Sequence, residues 1–333
     1  MPFIRGFLLL LPAVKGFSGK QTAMSNNKPL IAHLCIFAAC AIWGLMSPVG
    51  KDAMTHGITG IDMVSFRVAG GALLFWLTSF FMPHEHVHTR DKLKFAGAAV
   101  FGLVCNQCCF TIGLSITSPV NASIVTTSMP IFAMLLSFII LREPITWLKA
   151  GGVAVGCAGA LILILTSIAA TDSKVGDIRG DLLVLGAQLS YALFLSLFNK
   201  FIKKYSIITV NKWMFLWATL MVWPFTMRHV ANIPWAEITT TTWAETAYVV
   251  VMGTYVGYIL IVNAQKVLRP TVVSVYNNVQ PMVAVTVSLL MGIGVLKWSH
   301  ALAVVLVFMG VRMVTKSKSR RDIEMAGQKT EAI

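Results

Sequence analysis

Charge is scarce in this chain of 333 residues. Asp, Glu, Lys and Arg make up 12% of it, roughly half the share of an ordinary soluble domain, while hydrophobic residues reach 56% and the mean hydropathy is +0.75. That balance excludes a soluble fold. Acidic residues are the scarcer sign, 13 against 27 Lys and Arg, for a net charge of +14. A nucleic-acid footprint would need its basic residues clustered on a water-facing surface, whereas here they fall between long apolar stretches, so no nucleic-acid partner is expected. No G-x-x-x-x-G-K-[ST] loop occurs, which excludes ATP drive within the chain. The long apolar runs carry no acid at their middle, which weakens a simple carboxylate proton relay and leaves facilitated diffusion or exchange. Cys35, Cys40, Cys105, Cys108, Cys109 and Cys157 all lie inside apolar runs, where a thiol behaves as a small hydrophobe. The Cys105-x-x-Cys108-Cys109 string lacks a second ligand pair, so neither a disulfide framework nor a metal is expected.

What is abundant is apolar sequence in runs of membrane length. A helix needs about 20 such residues to cross the hydrocarbon core. Runs bounded by charge or turn residues predict ten helices, over 31–50, 63–82, 95–117, 120–141, 148–169, 182–201, 211–227, 247–267, 271–292 and 299–314. Short connections leave no room for a soluble domain. The longest, Arg228 to Thr246, has space for a short interfacial helix near Trp235 and Trp243.

Lys and Arg set the orientation, because cytoplasmic flanks carry an excess of them. With both termini inside a bacterial inner (plasma) membrane, nineteen fall on the inner side and five on the outer, namely Lys51, Lys174, Arg179, Arg228 and Lys297. Arg67, Lys212 and Arg312 lie within or at the ends of helices. Residues 1–30 read as an N-terminal tail with Met24 as an alternative start, and residues 315–333 as a polar cytoplasmic tail.

The sequence also repeats itself. At an offset of 151, Gly102 falls on Gly253, Pro119 on Pro270, Ser123 on Ser274, Pro130 on Pro281, Ala133 on Ala284, Ser137 on Ser288, Trp147 on Trp298, Ala150 on Ala301 and Gly159 on Gly310. An offset of 148 aligns the first helices of each half and sets Trp43 opposite Tyr191. Residues 31–169 and 182–314 are thus expected to be two five-helix repeats. Five is odd, so the second copy enters the membrane from the opposite side. The expected fold is all-α, ten transmembrane helices as two inverted five-helix repeats, an arrangement that places a binding site near the midplane between the halves.

With Ala41-Ile42-Trp43-Gly44 in the first helix, the run from Thr117 through Pro130 to Leu141-Arg142-Glu143 and the ten-helix inverted repeat, the chain resembles the EamA family of the drug/metabolite transporter superfamily. The resemblance covers Ile31 to Val314 and implies export or exchange of small metabolites such as amino acids. Where that family usually repeats an acid after the fourth helix of each half, Glu143 aligns here with Gly294 and Pro144 with Val295.

An ionised side chain at the helix centre costs on the order of 3 kcal/mol, so Arg67 asks for a reason. Its guanidinium suits a carboxylate or phosphate; alternatively it snorkels to headgroups or pairs with Asp62. The repeat sets Thr126, Thr127 and Ser128, before Pro130, on Asn277, Asn278 and Val279, before Pro281. Each proline frees a backbone carbonyl four residues upstream, and polar side chains beside such breaks suit a cavity lining. Gln280, Tyr276, Asn106, Gln107, Gln188, Tyr191, Tyr258, Asn263 and Trp43 extend that lining, with Asn263 close to the inner end. Interhelical hydrogen bonding is the alternative for each. Trp43, Tyr191, Tyr258 and Tyr276 suit an aromatic cage, and Gly152/Gly156 and Gly253/Gly257 have the spacing of close helix contacts. His84, Glu85, His86 and His88 read as a solvated turn, and Glu143 beside Arg142 as a surface ion pair.

The expectation is a secondary transporter of an amino acid or related compound by alternating access, with export favoured. A lipid-linked substrate translocator and a non-transporting ligand sensor are the alternatives. A membrane enzyme would need a clustered acid, base or nucleophile that is missing here. No cofactor is called for; the expected partners are a small-molecule substrate, membrane lipid and, as an option, a second copy in a homodimer.

Overall fold

The computed structural model describes residues 28–117, 122, 125–168, 177–283 and 298–318. The expected start at Met24, Pro119, Ser123 and the far part of the C-terminal tail lie outside them, as do Ala284, Ser288 and Gly294. The described residues are helical, with no strand. The helices are α1 (Lys28–Thr55), α2 (Gly60–Phe80), α3 (Thr89–Ile116), α4 (Met129–Leu141), α5 (Trp147–Ile168), α6 (Ile178–Leu197), α7 (Ile207–Ala231), α8 (Thr240–Val267), α9 (Pro270–Val275) and α10 (Trp298–Lys316). Five are long and apolar enough to cross a membrane by length and composition: α1 from Pro29, α2, α3, α6 and α8. Ten crossings therefore remain the expectation, and five is the number the described helices meet.

The helix starts follow from local chemistry. Thr59 and Asp62 form a reciprocal capping box on α2, Asp177 caps α6, Ser206 caps α7 and Thr239 caps α8, each satisfying a backbone N–H that the first turn leaves open. Pro130 sits in the first turn of α4, where its missing N–H removes nothing from the helix ladder. It shortens the expected span of 120–141, since residues 127–128 form a turn.

The repeat is visible in the helix boundaries. α3 and α8 each have 28 residues and begin and end 151 residues apart. Each also contains a π-helical segment, Val100–Cys105 in α3 and Val249–Val256 in α8, whose last residues are again 151 apart. The inversion follows from contacts. Lys51 near the end of α1 donates to the carbonyls of Leu114, Ser115 and Thr117 at the end of α3, so α1 and α3 point the same way. α6 runs against α3, with Ser190 beside Phe101, Ala187 beside Asn106 and Gly180 beside Gly113. The first helices of the two halves are therefore opposed. The same pseudo-two-fold relation pairs α1 with α8 as it pairs α6 with α3, α2 with its counterpart α7, and α5 with its counterpart α10.

The α5–α10 pair depends on glycine. A Cβ at Gly310 would meet the Gly152 carbonyl oxygen at 2.6 Å, and one at Gly159 would meet Leu306 Cβ at 2.8 Å. Trp147 and Trp298, equivalent in the repeat, begin these antiparallel helices and are 95% and 86% exposed. Tryptophans at opposite ends suit the two interfaces of a bilayer.

Three local expectations need correction. The Arg228–Thr246 connection holds no helix of its own: α7 runs on to Ala231, α8 starts at Thr240, and turns lie between. Trp235 instead stacks on Trp243 of α8, with ring centroids 5.5 Å apart, because both cover Phe66. Glu143 pairs with the buried Lys149 at 2.9 Å rather than with Arg142, which takes a left-handed conformation (φ 53°) as it ends α4. Arg67 neither snorkels nor pairs with Asp62, whose carboxylate is taken by Thr59.

Replacing Gly310 by Leu should lower the thermal unfolding midpoint of the detergent-solubilised protein by several degrees, through the roughly 1–3 kcal/mol cost of overpacking. Gly186→Ala, where an added Cβ meets nothing within 4 Å, should leave the midpoint unchanged. Equal midpoints for both would show that the α5–α10 contact is not close packed.

Candidate functional site

The two π segments occupy equivalent places in α3 and α8. A π turn displaces carbonyls from regular i→i+4 bonding, and at membrane depth the protein itself must satisfy them. The opposite half does so. Trp43 of α1 donates its indole N–H to the Gly253 carbonyl in α8 at 2.7 Å, and Ser190 of α6 donates to the Phe101 carbonyl in α3, also at 2.7 Å. Just beyond the π segments, Gln107 Nε2 donates to the Tyr258 hydroxyl at 3.2 Å. Gln107 and Tyr258 are 151 residues apart, so they are the same position of the two repeats. A residue that touches its own equivalent marks the pseudo-two-fold axis, which passes through this bond.

Beside the axis lies a cavity of about 60 Å³. Nine of the residues singled out in the sequence line it: Trp43, Arg67, Asn106, Thr126, Gln188, Tyr191, Tyr258, Asn277 and Gln280. They come from both repeats. Met46 and Phe110 complete the wall and were not foreseen, because an apolar side chain in an apolar helix carries no distinguishing pattern. The others sit outside the lining. Gln107 lies behind Tyr258, while Tyr276 is buried against His33, its hydroxyl 2.8 Å from Nδ1. Asn278 turns toward Gly156 of α5, and Thr127 offers its carbonyl to Cys157 there. Asn263, near the same end as His33, donates to Cys35.

Arg67 carries the lining's charge. It is 5% exposed and lies seven residues into α2, about 10 Å along the helix at 1.5 Å per residue. Its Nε donates to the Thr254 hydroxyl and its Nη1 to the Thr111 hydroxyl, both at 3.2 Å. Thr254 in turn donates its hydroxyl hydrogen bond to the Val249 carbonyl, five residues back in the π segment of α8, at 3.1 Å. The π segment thus anchors the arginine. Among the described residues no carboxylate lies within 4 Å of the guanidinium.

The rest of the lining is neutral and partly tied down. The Tyr191 hydroxyl accepts from Gln265 at 2.7 Å, Asn277 Oδ1 accepts from Gln280 at 3.3 Å, and Asn106 donates to the Ala187 carbonyl at 3.0 Å. Trp43 meets Tyr258 edge-on with centroids 5.9 Å apart, and Phe215 backs Tyr258 at 5.0 Å. Pockets that hold small organic ligands usually measure about 300–1,000 Å³. This cavity is smaller than that range. At the Lys-rich end Asp91 accepts from Lys94, Lys204 and Tyr205. No group of three or more His, Cys, Asp or Glu able to hold a metal occurs among the described residues, the 84–88 turn included.

Comparison with known proteins agrees with this architecture. The model of the EamA-like transporter family matches residues 30–165 and again 178–316. An uncharacterized transporter of Bacillus subtilis, YetK, is 22% identical over 96% of this chain and 96% of its own length. An S-adenosylmethionine/S-adenosylhomocysteine transporter of Chlamydia muridarum is 29% identical over 40% of this chain and 42% of its own. A solved crystal structure superposes with a TM-score of 0.65 at 14% identity, covering 85% of this chain and 96% of that one, which speaks for the fold alone. A family model that matches both halves in turn, on a chain whose halves are built alike around a shared axis, leads to one assignment: this chain is a multi-pass membrane transporter of the EamA-like family.

Proposed function

We propose that the chain moves a small organic acid, an amino acid or a related compound, across a bacterial inner membrane by alternating access through the cavity beside the Gln107–Tyr258 axis. The observation that carries this reading is Arg67. A buried guanidinium with two threonine hydroxyls and no carboxylate is an uncompensated charge, and a substrate carboxylate is the counter-charge it lacks. Nine of the chain's thirteen acids are among the described residues, and none reaches it; the remaining four belong to segments 169–176 and 319–333. The edges and faces of Trp43, Tyr258 and Phe110, with the amides of Asn106, Gln188, Asn277 and Gln280, supply the mixed apolar and polar wall that an organic body needs. The relative named for S-adenosylmethionine and S-adenosylhomocysteine fits the same class, since both are amino-acid derivatives with a carboxylate.

In this reading the inverted halves exchange conformations, each opening the cavity to one side in turn. The α1–α8 contact is a place where that motion has to slide, because Gly253 lies against Met46 and Gly257 against Trp43. The excess of Lys and Arg on one side of the predicted helices supports cytoplasmic termini, and export is the favoured direction.

Metabolite profiling of the medium should find a carboxylate-bearing compound enriched by cells that produce the chain, and not by cells producing an equally abundant Gly253→Trp variant. A Cβ at Gly253 already meets Met46 Sδ at 2.5 Å, so the indole wedges α1 from α8. No difference between the two, with both inserted, would overturn export. In proteoliposomes loaded with the compound so found, Arg67→Gln should cut flux by about 100-fold, from the roughly 3 kcal/mol of a charge-assisted contact. Thr126→Ala and Asn277→Ala should each cut it less, by about 3-fold to 10-fold at 0.5–1.5 kcal/mol per hydrogen bond. Normal flux in Arg67→Gln would sink the carboxylate reading, and normal flux in the Thr126/Asn277 double variant would sink the shared cavity.

A further inference from the structure

A second cavity lies at the Lys-rich end of the helices, apart from the axis. The end of α2, the 81–88 loop and the start of α7 enclose a groove of about 620 Å³. Its floor is aromatic. Trp76 of α2 and Trp213 of α7 meet edge to face with ring centroids 5.8 Å apart. Each indole carries an ammonium group from another helix: Lys212 Nζ lies 5.1 Å from the Trp76 centroid, and Lys92 Nζ of α3 lies 5.1 Å from that of Trp213. Among the described residues neither lysine is within 4 Å of a carboxylate.

The acid lining the groove is Glu85, and it is committed elsewhere. Its carboxylate accepts the Ser206 backbone N–H that opens α7, at 2.9 and 3.2 Å. Burial alone would raise its pKa, but the hydrogen bonds from Thr209 and Ser206, with Lys266 nearby, hold it below the usual carboxylate range. Glu85 therefore stays ionised and bound to the helix start, and its field reaches Lys212 without an ion pair. His84 and His86 stand on the rim. At its edge the groove includes Phe80, 75% exposed, and the next residue, Phe81, is exposed as well.

Two ammonium groups without ion-pair partners over two tryptophans, opening onto an apolar flank at the end of membrane helices, form an amphipathic receptor. We infer that this groove binds the headgroup of an anionic glycerophospholipid: Lys92 and Lys212 hold the phosphate oxygens, and Trp76, Trp213 and Phe80 receive the glycerol and upper acyl chain. A basic pocket between helices at the membrane surface attracts such headgroups electrostatically, and the edge-to-face tryptophans give them a rigid apolar backing at interface depth. A soluble phosphate would satisfy the ammonium groups alone and leave the aromatic floor unused.

The test compares the purified full chain in vesicles of phosphatidylcholine alone with vesicles containing 30% phosphatidylglycerol, a composition of about one third being chosen to saturate such a site. The expected result is a higher thermal midpoint with phosphatidylglycerol, lost in Lys92→Gln/Lys212→Gln and retained in Lys316→Gln, whose lysine ends α10. Native mass spectrometry should show phosphatidylglycerol retained on the unsubstituted chain in preference to phosphatidylcholine, and roughly tenfold less of it on the double variant. An equal gain in the double variant would reassign the effect to bulk charge and overturn the site. So would a gain reproduced by inorganic phosphate, which would assign the groove to a soluble anion. If the double variant does not fold, lack of preferential retention on the unsubstituted chain overturns the inference by itself.

Discussion

Hydrocarbon offers the backbone no hydrogen-bond partner, so every carbonyl released from regular helical pairing inside a membrane must be met by another part of the protein. In this chain that constraint falls on the two π segments, Val100–Cys105 and Val249–Val256, and each is met from the opposite repeat. Trp43 covers Gly253 and Ser190 covers Phe101. Both π segments therefore lie at the interface between the halves. Irregular turns and aromatic donors that are costly against lipid are concentrated where two copies of the same unit face one another, and the polar cavity lies beside them. The fold and the proposed site thus have one physical origin.

Arg67 depends on the same device. Its Nε reaches the hydroxyl of Thr254, and that hydroxyl is itself tied to a carbonyl five residues earlier in the π segment of α8. A regular α-helix would bond residue 254 to 250 and leave no such acceptor at Val249. The guanidinium is therefore held by a feature of the other repeat, and any motion that separates α2 from α8 must first release it. A substrate carboxylate at the same fork would replace part of what is lost, which links occupancy to motion in the proposed mechanism.

Much of this was legible in the sequence, for identifiable reasons. The offset of 151 rests on Gly, Pro and Trp, residues whose backbone or size makes them hard to substitute, and it returns as the offset between the ends of α3 and α8. Polar residues in an apolar background are conspicuous, which is why nine lining residues could be named beforehand. What the sequence did not announce is equally instructive. Met46 and Phe110 line the cavity but look like any apolar neighbour, and a π segment changes hydrogen-bond register without changing composition. The Gln107–Tyr258 contact was hidden by the dissimilarity of its members, although their separation equals the repeat offset. Lys149 is buried against Glu143, a pairing across a turn that helical spacing cannot reveal.

Where the repeats differ matters as much as where they agree. The turn of α7 that corresponds to Arg67 holds Met214 and Phe215, both buried, and Phe215 packs on Tyr258 and on Phe75. One half therefore presents a charge to the axis and the other an aromatic face. Symmetric halves would give two open states of equal energy. A guanidinium on one side breaks that equality, because its hydration changes when one opening admits water to α2 and differs when the other does. Under the proposed alternating access, the pseudo-symmetry supplies the two states, and Arg67, with no carboxylate partner among the described residues, gives them different affinities for an anion.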